Sequence, residues 1–135
     1  MEIREVMTPD VVSAHPATTL NAAAELMGSL NVGSLPVVSG ERVVGIVSDR
    51  DIVVRGLAQG MRPDQASVAD VMTREVYTCR EDEETETVAR RMSELGLRRL
   101  LVVDERRRLV GIVTRGDLAV RLRRSLREPE PGPGP

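Results

Sequence analysis

The sequence predicts an α+β fold: two copies of one β-α-β-β-α unit, related by a pseudo-two-fold axis and packed sheet to sheet. Three observations lead there. The chain repeats itself at an offset of 65 residues, from Val6 to Val71. Within each copy the hydrophobic period switches from helical to strand-like. One copy alone has too little sheet to bury both of its faces, so two must share a core.

Val6-Met7-Thr8 recurs as Val71-Met72-Thr73. At the same offset Val11 aligns with Val76, Ser13 with Thr78, Met27 with Met92 and Leu30 with Leu95. Leu35-Pro36-Val37-Val38 aligns with Leu100-Leu101-Val102-Val103. The following turn is one residue longer in the second copy, so Gly45-Ile46-Val47-Ser48-Asp49-Arg50-Asp51 aligns with Gly111-Ile112-Val113-Thr114-Arg115-Gly116-Asp117. The first copy thus occupies 1–60, a linker 61–66, the second copy 67–127, and a Pro/Gly tail predicted to be disordered 128–135.

Each copy opens with a short segment ending in Val-Met-Thr, followed by a brief strand at about Val11–Ser13 and Val76–Thr78. Next comes an amphipathic helix. Leu20, Ala23, Met27 and Leu30 recur at helical spacing, with Thr19 as N-cap. Its counterpart carries Val88, Met92 and Leu95 after the acidic run Glu81–Glu84, which suits a helix N-terminus. Thr85 stands where the first copy has Leu20, predicting a weaker anchor to the core. Two β-branched runs then read as hairpins, Leu35–Val38 with Val43–Val47 and Leu100–Val103 with Leu109–Val113, across polar turns. A closing helix runs from about Asp49 to Ala58 and from about Gly116 to Leu126. Leu118, Leu122 and Leu126 mark the apolar stripe of the second, beside Arg121, Arg123, Arg124 and Arg127. Those arginines read as helix-dipole compensation and an aid to solubility, against a sharper reading as a partner- or nucleic-acid-binding face that the lack of aromatics and of a wider basic stripe disfavours.

Composition narrows the function. Tyr77 is the sole aromatic residue, so the core is aliphatic and a planar ligand is gripped by aliphatic side chains. A net charge of −2 gives no general affinity for nucleic acid or for acidic membranes. The single cysteine, Cys79, forms no intrachain disulfide and reads as core filler. His15, the only histidine, has no ligating neighbours at metal spacing and reads as a loop residue. The N-terminus lacks a secretory pattern, and apolar runs fall far short of the ~20 residues that span a bilayer. A cytoplasmic protein without membrane association is expected. No nucleophile elbow, phosphate loop or dinucleotide fingerprint is present, so the expected function is not enzymatic.

The chemistry-bearing pattern is Gly45-x-x-Ser48-x-x-Asp51 and its echo Gly111-x-x-Thr114-x-x-Asp117, where a strand runs into a helix. Ser48 and Thr114 suit N-caps, and Asp51 and Asp117 suit the acid of a capping box. The same carboxylates are placed to accept hydrogen bonds from a vicinal diol such as ribose. The preceding glycines permit close approach of a ligand to the backbone.

Taken with Val-Met-Thr and Leu-Pro-Val-Val, this pattern resembles the CBS domain, named from cystathionine beta-synthase, in both copies and over residues 1–125. The resemblance implies a Bateman module: a tandem pair that binds AMP, ADP, ATP or S-adenosylmethionine in two inter-repeat clefts and regulates a partner. With nothing attached in this sequence, it implies the stand-alone class. Carried over by position, the first site comprises Thr8, Val11, Ser13, Val32, Gly33, Ser34, Ile112, Thr114 and Asp117, with Arg98 and Arg99 for phosphate. The second comprises Ser48, Asp51, Thr73, Val76, Thr78 and Leu97, with Arg98 also nearby. Arg50 and Arg115 lie next to the ribose acids, within reach of a phosphate. Leu97-Arg98-Arg99 is bulkier than Val32-Gly33-Ser34, which favours filling of the first site. The resemblance also implies a homodimer through the helices near Leu20–Leu30, Ile52–Leu57, Val88–Leu95 and Leu118–Leu122, and a protein target. The adenine nucleotide is a regulatory ligand, with no obligatory cofactor. The competing reading is a ligand-independent oligomerisation or adaptor module, in which the Ser/Thr-x-x-Asp motifs only cap helices.

Overall fold

Residues 1–119 are described in the computed structural model, and their architecture is mixed α+β. The two β-branched runs of each copy form the expected pairs of strands. β2 (Ser34–Ser39) runs antiparallel to β3 (Arg42–Ser48), across a turn where Gly40 and Glu41 take φ of 58° and 74°. β5 (Arg99–Val103) and β6 (Leu109–Thr114) are likewise hydrogen-bonded neighbours. The five-residue run Arg99–Val103 has no polar alternation after its first residue, and Leu100 to Val103 are all buried.

The strands expected before each helix differ. In the second copy β4 (Thr78–Arg80) pairs parallel with β5, Cys79 opposite Val102, two residues later than predicted. In the first copy only Ala14 bridges, to Val37. Pro16 explains the difference. At its equivalent, Glu81 donates its N–H to the Val103 carbonyl at 3.0 Å, and proline has no N–H to continue the ladder.

α1 (Leu20–Leu30) begins where predicted, with Thr19 Oγ1 accepting from the Ala22 N–H at 3.1 Å, and ends at left-handed Asn31. α2 (Thr85–Leu95) ends at left-handed Gly96. The stripes Leu20, Ala23, Met27 and Thr85, Val88, Met92 are buried. Thr85 thus enters the core in the place of Leu20, and among the described residues no buried side-chain N or O lacks a partner.

The helix expected after β3 is widened: Asp51–Gly56 forms a π-helical turn, in which the Leu57 N–H reaches back to Ile52 and Val53 carbonyls. Ile52-Val53-Val54 crowds a regular α turn with three β-branched residues. Gly56 lies against Leu20, where an added Cβ would stand 2.8 Å from Cδ1. The second closing helix is described over 115–119. The rest of that helix, including Leu122, Leu126 and the arginines beside them, and the 128–135 tail lie outside the described residues.

The chain divides into two compact units. One joins Met1–Val11 to Tyr77–Glu105 and the described chain from Val110; the other joins Val12–Val76 to Arg106–Leu109. Each Val-Met-Thr segment therefore packs with the hairpin of the other sequence copy. β1 (Thr8–Pro9) pairs antiparallel with β6, completing the order β1-β6-β5-β4. In the other unit Thr73 bridges Ile46 on β3, through two 2.9 Å hydrogen bonds. The anchors are equivalent. Ile3 and Arg4 donate to the Glu83 and Glu81 carbonyls, as Val68 and Ala69 donate to those of Thr18 and Pro16. Both segments carry a short 3-10 turn closed by a reciprocal capping box, Glu2 with Glu5 and Ser67 with Asp70. Ile3 and Val68 are both fully buried and give the two units, the Ile3 unit and the Val68 unit, their anchors. The Ile3 unit centres on Cys79, Val88, Met92, Leu100, Val102 and Val113; the Val68 unit centres on Ala14, Ala23, Met27, Leu35, Val37 and Val47.

Ile3→Ala removes a fully buried side chain from one core and is expected to cost about 2–5 kcal/mol. Native-state hydrogen exchange will show protection lost in β4, β5 and β6 while β2 and β3 keep theirs. Loss concentrated in β2 and β3 would contradict this assignment of the N-terminal segment.

Candidate functional site

The end of each hairpin leads straight into the predicted Ser/Thr-x-x-Asp motif. In the Val68 unit the Ser48 N–H donates to Asp51 Oδ2 (2.9 Å) and the Asp51 N–H donates to Ser48 Oγ (3.0 Å). The Ile3 unit repeats this at 3.0 Å for both bonds, Thr114 N–H to Asp117 Oδ2 and Asp117 N–H to Thr114 Oγ1. The capping reading is thus borne out twice. Each box uses one carboxylate oxygen, Oδ2, and leaves Oδ1 for another donor; Arg55 Nε stands 3.8 Å from Oδ1 of Asp51.

One further hydrogen bond ties each motif to the residue before the hairpin. The Asp49 N–H donates to the Gly33 carbonyl (2.9 Å), and the Arg115 N–H donates to the Arg98 carbonyl (2.8 Å). Gly33 and Arg98 therefore hold the same place in the two units. Asp49 was not singled out from the sequence, yet its Oδ2 lies 3.4 Å from where a Gly33 Cβ would stand. Its signal was the alignment that sets it against Arg115.

The motif glycines serve a different neighbour from the one expected. A Cβ on Gly111 would stand 2.6 Å from Met7 Sδ and 2.9 Å from the Thr8 carbonyl oxygen. On Gly45 it would meet Met72 Sδ at 2.8 Å and the Thr73 carbonyl at 2.9 Å. The close approach is made by the chain's own Val-Met-Thr segment, which also sets Thr8 opposite Ile112 and Thr73 opposite Ile46.

Of the first predicted set, the Ile3 unit holds Thr8, Val11, Arg98, Arg99, Ile112, Thr114 and Asp117, and it brings Thr8, Ile112, Arg98, Thr114 and Asp117 together through the bonds above. Ser13, Val32, Gly33 and Ser34 belong to the Val68 unit. Of the second set, Ser48, Asp51, Thr73 and Val76 belong to the Val68 unit, and Thr78 and Leu97 to the Ile3 unit. Thr8, Ser13, Val32, Gly33, Arg98 and Arg99 are exposed; the two motif aspartates are half-buried.

The residues set aside behave as structural groups. His15 is exposed and its Nδ1 accepts from the Ala17 N–H within a turn. Cys79 is buried, and burial first, then the Glu83 carboxylate, pushes its thiol from 9.0 up to about 12, against the opposing pull of Arg91. Among the described residues no cluster of three or more His, Cys, Asp or Glu is placed to hold a metal ion, and no helix is long and apolar enough to cross a membrane.

The CBS domain family matches residues 3–57 and 68–124. The chain belongs to that family. This CBS pair is 40% identical over 118 residues to the CBS domain-containing protein YhcV of Bacillus subtilis, covering 87% of this chain and 83% of YhcV. It is 34% identical over 119 residues to an uncharacterised protein of Methanopyrus kandleri, covering 87% of this chain but 61% of that protein's length. Among solved structures, CBSX2 of Arabidopsis thaliana in complex with AMP is similar, with TM-score 0.77, 31% identity, and coverage of 94% and 98% of the two chains. The CBS domain pair of protein MJ0100, in complex with 5'-methylthioadenosine and S-adenosyl-L-methionine, has TM-score 0.75, 31% identity, and coverage of 93% and 98%.

Two outcomes follow for the CBS pair. Gly111→Ala sets a methyl group against backbone, so it is expected to destabilise by about 1–3 kcal/mol in thermal or urea unfolding. A thiol with a higher pKa folded than unfolded adds stability that is complete below about pH 9 and lost as pH rises towards 12. Cys79→Ala, which installs the residue found at Ala14, should therefore flatten the alkaline fall in stability. Equal alkaline slopes for both proteins would contradict the burial argument.

Proposed function

We propose that this CBS pair is a regulatory module that senses an adenosine nucleotide and passes the binding event to a partner protein. The observation that carries the reading is the duplicated Ser/Thr–Asp box. In both units the fold holds a half-buried carboxylate through Oδ2 alone, and Oδ1 of Asp51 is met only at 3.8 Å, by Arg55 Nε. The other oxygen suits a cis-diol, whose two hydroxyls need an acceptor of this kind. AMP in CBSX2 and the adenosine compounds in the MJ0100 pair support the choice of ligand class.

In this proposal Asp117 and Thr114 take the ribose of the first ligand, with Thr8, Val11, Ile112, Arg98 and Arg99 beside them, and Ser13, Val32, Gly33 and Ser34 counted in the same set. Asp51 and Ser48 take the second, with Thr73, Val76, Thr78 and Leu97. The ligand is regulatory and no catalytic step is assigned. ADP, ATP and S-adenosylmethionine remain alternatives to AMP within the same class. The proposal includes a cytoplasmic location.

A homodimer belongs to the same proposal. Leu30, Val53, Val54, Leu57 and Leu95 are large apolar residues left exposed on helical segments, Val53 by 53%. That apolar surface also favours the second reading, an adaptor that oligomerises without ligand.

A thermal-shift screen with AMP, ADP, ATP and S-adenosylmethionine separates the two, with calorimetry as the check. A ligand at 100 times its Kd is expected to stabilise the fold by about 2.7 kcal/mol, read as several degrees in Tm. Asp117→Ala is expected to weaken binding at least tenfold (about 1.4 kcal/mol) while leaving the fold intact. A chain that sediments as a dimer and responds to none of these ligands would establish the adaptor reading instead.

A further inference from the structure

The duplication provides an internal control on ligand chemistry, because, of two equivalent places, one sets Asp49 against Arg115 and the other sets uncharged Gly33 against Arg98. The Arg98 carbonyl receives the Arg115 N–H exactly where the Gly33 carbonyl receives the Asp49 N–H, so these four residues form two matched pairs. Beside Asp117 the Ile3 unit therefore presents Arg98, Arg99 and Arg115. Beside Asp51 the Val68 unit presents Gly33, Ser34 and Asp49, with Arg50 as the cation of the motif and Arg55 a turn further on, its Nε 3.8 Å from Asp51 Oδ1. The Asp49 carboxylate is held against Gly33, with Oδ2 3.4 Å from the position of a Cβ there, and its Oδ1 accepts the Arg50 N–H at 2.7 Å. Arg115 leans on the end of α2, where Nη2 lies 3.5 Å from the Met92 carbonyl, and Arg98 projects from an exposed position. The shared backbone bond forms in both units, so that bond does not demand the change of charge.

Resting on the adenosine-binding reading above, we propose that the two motif aspartates serve different ligand classes. Asp117, flanked by Arg98 and Arg115, takes adenosine ligands that bear phosphate. Asp51, flanked by Asp49, takes adenosine compounds without phosphate, neutral or cationic. Guanidinium groups bind phosphate oxygens through charge-assisted, often bidentate hydrogen bonds. A carboxylate fixed in the corresponding place repels the same phosphate and tolerates a thioether or a sulfonium. Arg98 and Asp49 are thus the residues that set specificity, and the aspartates of the boxes hold what both classes share.

The test uses the full chain and two probes, AMP and 5'-methylthioadenosine, titrated by calorimetry at low and high salt. AMP affinity is expected to fall about tenfold or more in Arg98→Ser and in Asp117→Ala, and to weaken with added salt. Affinity for 5'-methylthioadenosine is expected to be insensitive to salt and to Arg98→Ser, and to be lost in Asp51→Ala. In an Asp117→Ala background, Asp49→Arg is expected to restore AMP binding through the other aspartate. Equal sensitivity of both probes to both aspartates, or AMP binding that ignores Arg98→Ser and salt, overturns the division of ligand classes while leaving adenosine binding in place. Failure of the unmodified chain to bind either probe overturns the adenosine-binding reading, and this inference with it.

Discussion

Everything else in this protein depends on a backbone laid against a glycine. On β6 and on β3, a strand passes so close to a Val-Met-Thr segment that a single methyl group on Gly111 or Gly45 would overlap a carbonyl oxygen at 2.9 Å. The contact fixes the register of the segment, Thr8 opposite Ile112 and Thr73 opposite Ile46. It also sets a methionine sulfur over the strand, where an aromatic-free core needs adaptable volume. A bulkier residue would push the segment away and uncover Ile3 or Val68, the fully buried anchors of the two units.

That contact makes each unit depend on sequence from outside its own copy. Ile3 donates its N–H to the Glu83 carbonyl and sinks into a core otherwise built from Cys79, Val88, Met92 and Leu100. Val68 does the same for the earlier half of the chain, with Thr18 in place of Glu83. Burial of an Ile side chain contributes about 1.5–3 kcal/mol, comparable to a sizeable part of a small unit's stability. Neither copy can therefore be understood as a self-sufficient piece of sequence, although each has a complete set of helix and hairpin.

Local chemistry made most of the elements legible. Thr19 as a cap, the apolar spacing of α1 and α2, the two hairpins and both capping boxes follow from short-range rules, and the structure bears them out. Two features escape the residue pattern because they depend on contacts remote in sequence or on the geometry of a single turn. The exchange of the Val-Met-Thr segments leaves no trace in a repeat alignment, since a segment aligns equally well whichever hairpin it packs against; only the family resemblance set Thr8 with Thr114 and Asp117, and Thr73 with Ser48 and Asp51. The widened turn at Asp51–Gly56 reflects crowding among three β-branched residues together with the seating of Gly56 on Leu20, and a hydrophobic period of 3.6 does not register it. For the candidate site, the aspartates were readable as caps and as diol acceptors alike, because one carboxylate has oxygens enough for both. Gly45 and Gly111 were misleading for a physical reason: a glycine marks close approach without saying what approaches.

A duplicated fold separates what structure requires from what it merely permits. Positions that match in both units, such as Ser48 with Thr114, Asp51 with Asp117 and Gly45 with Gly111, carry hydrogen bonds or contacts that the fold uses in both places. Positions that differ while the surrounding bonds stay the same are free of that requirement. Leu20 and Thr85 differ, but both are buried and the difference is one of core packing. Gly33 against Arg98 and Asp49 against Arg115 differ at exposed places where only the backbone is engaged in the shared bond. Side chains there lie outside the core and are tied by that backbone bond to the chain that leads into each motif aspartate, and they make the Ile3 unit the more basic of the two. A chemical difference between the two halves of this module can act through those residues at no cost to the hydrogen bonds that the halves share.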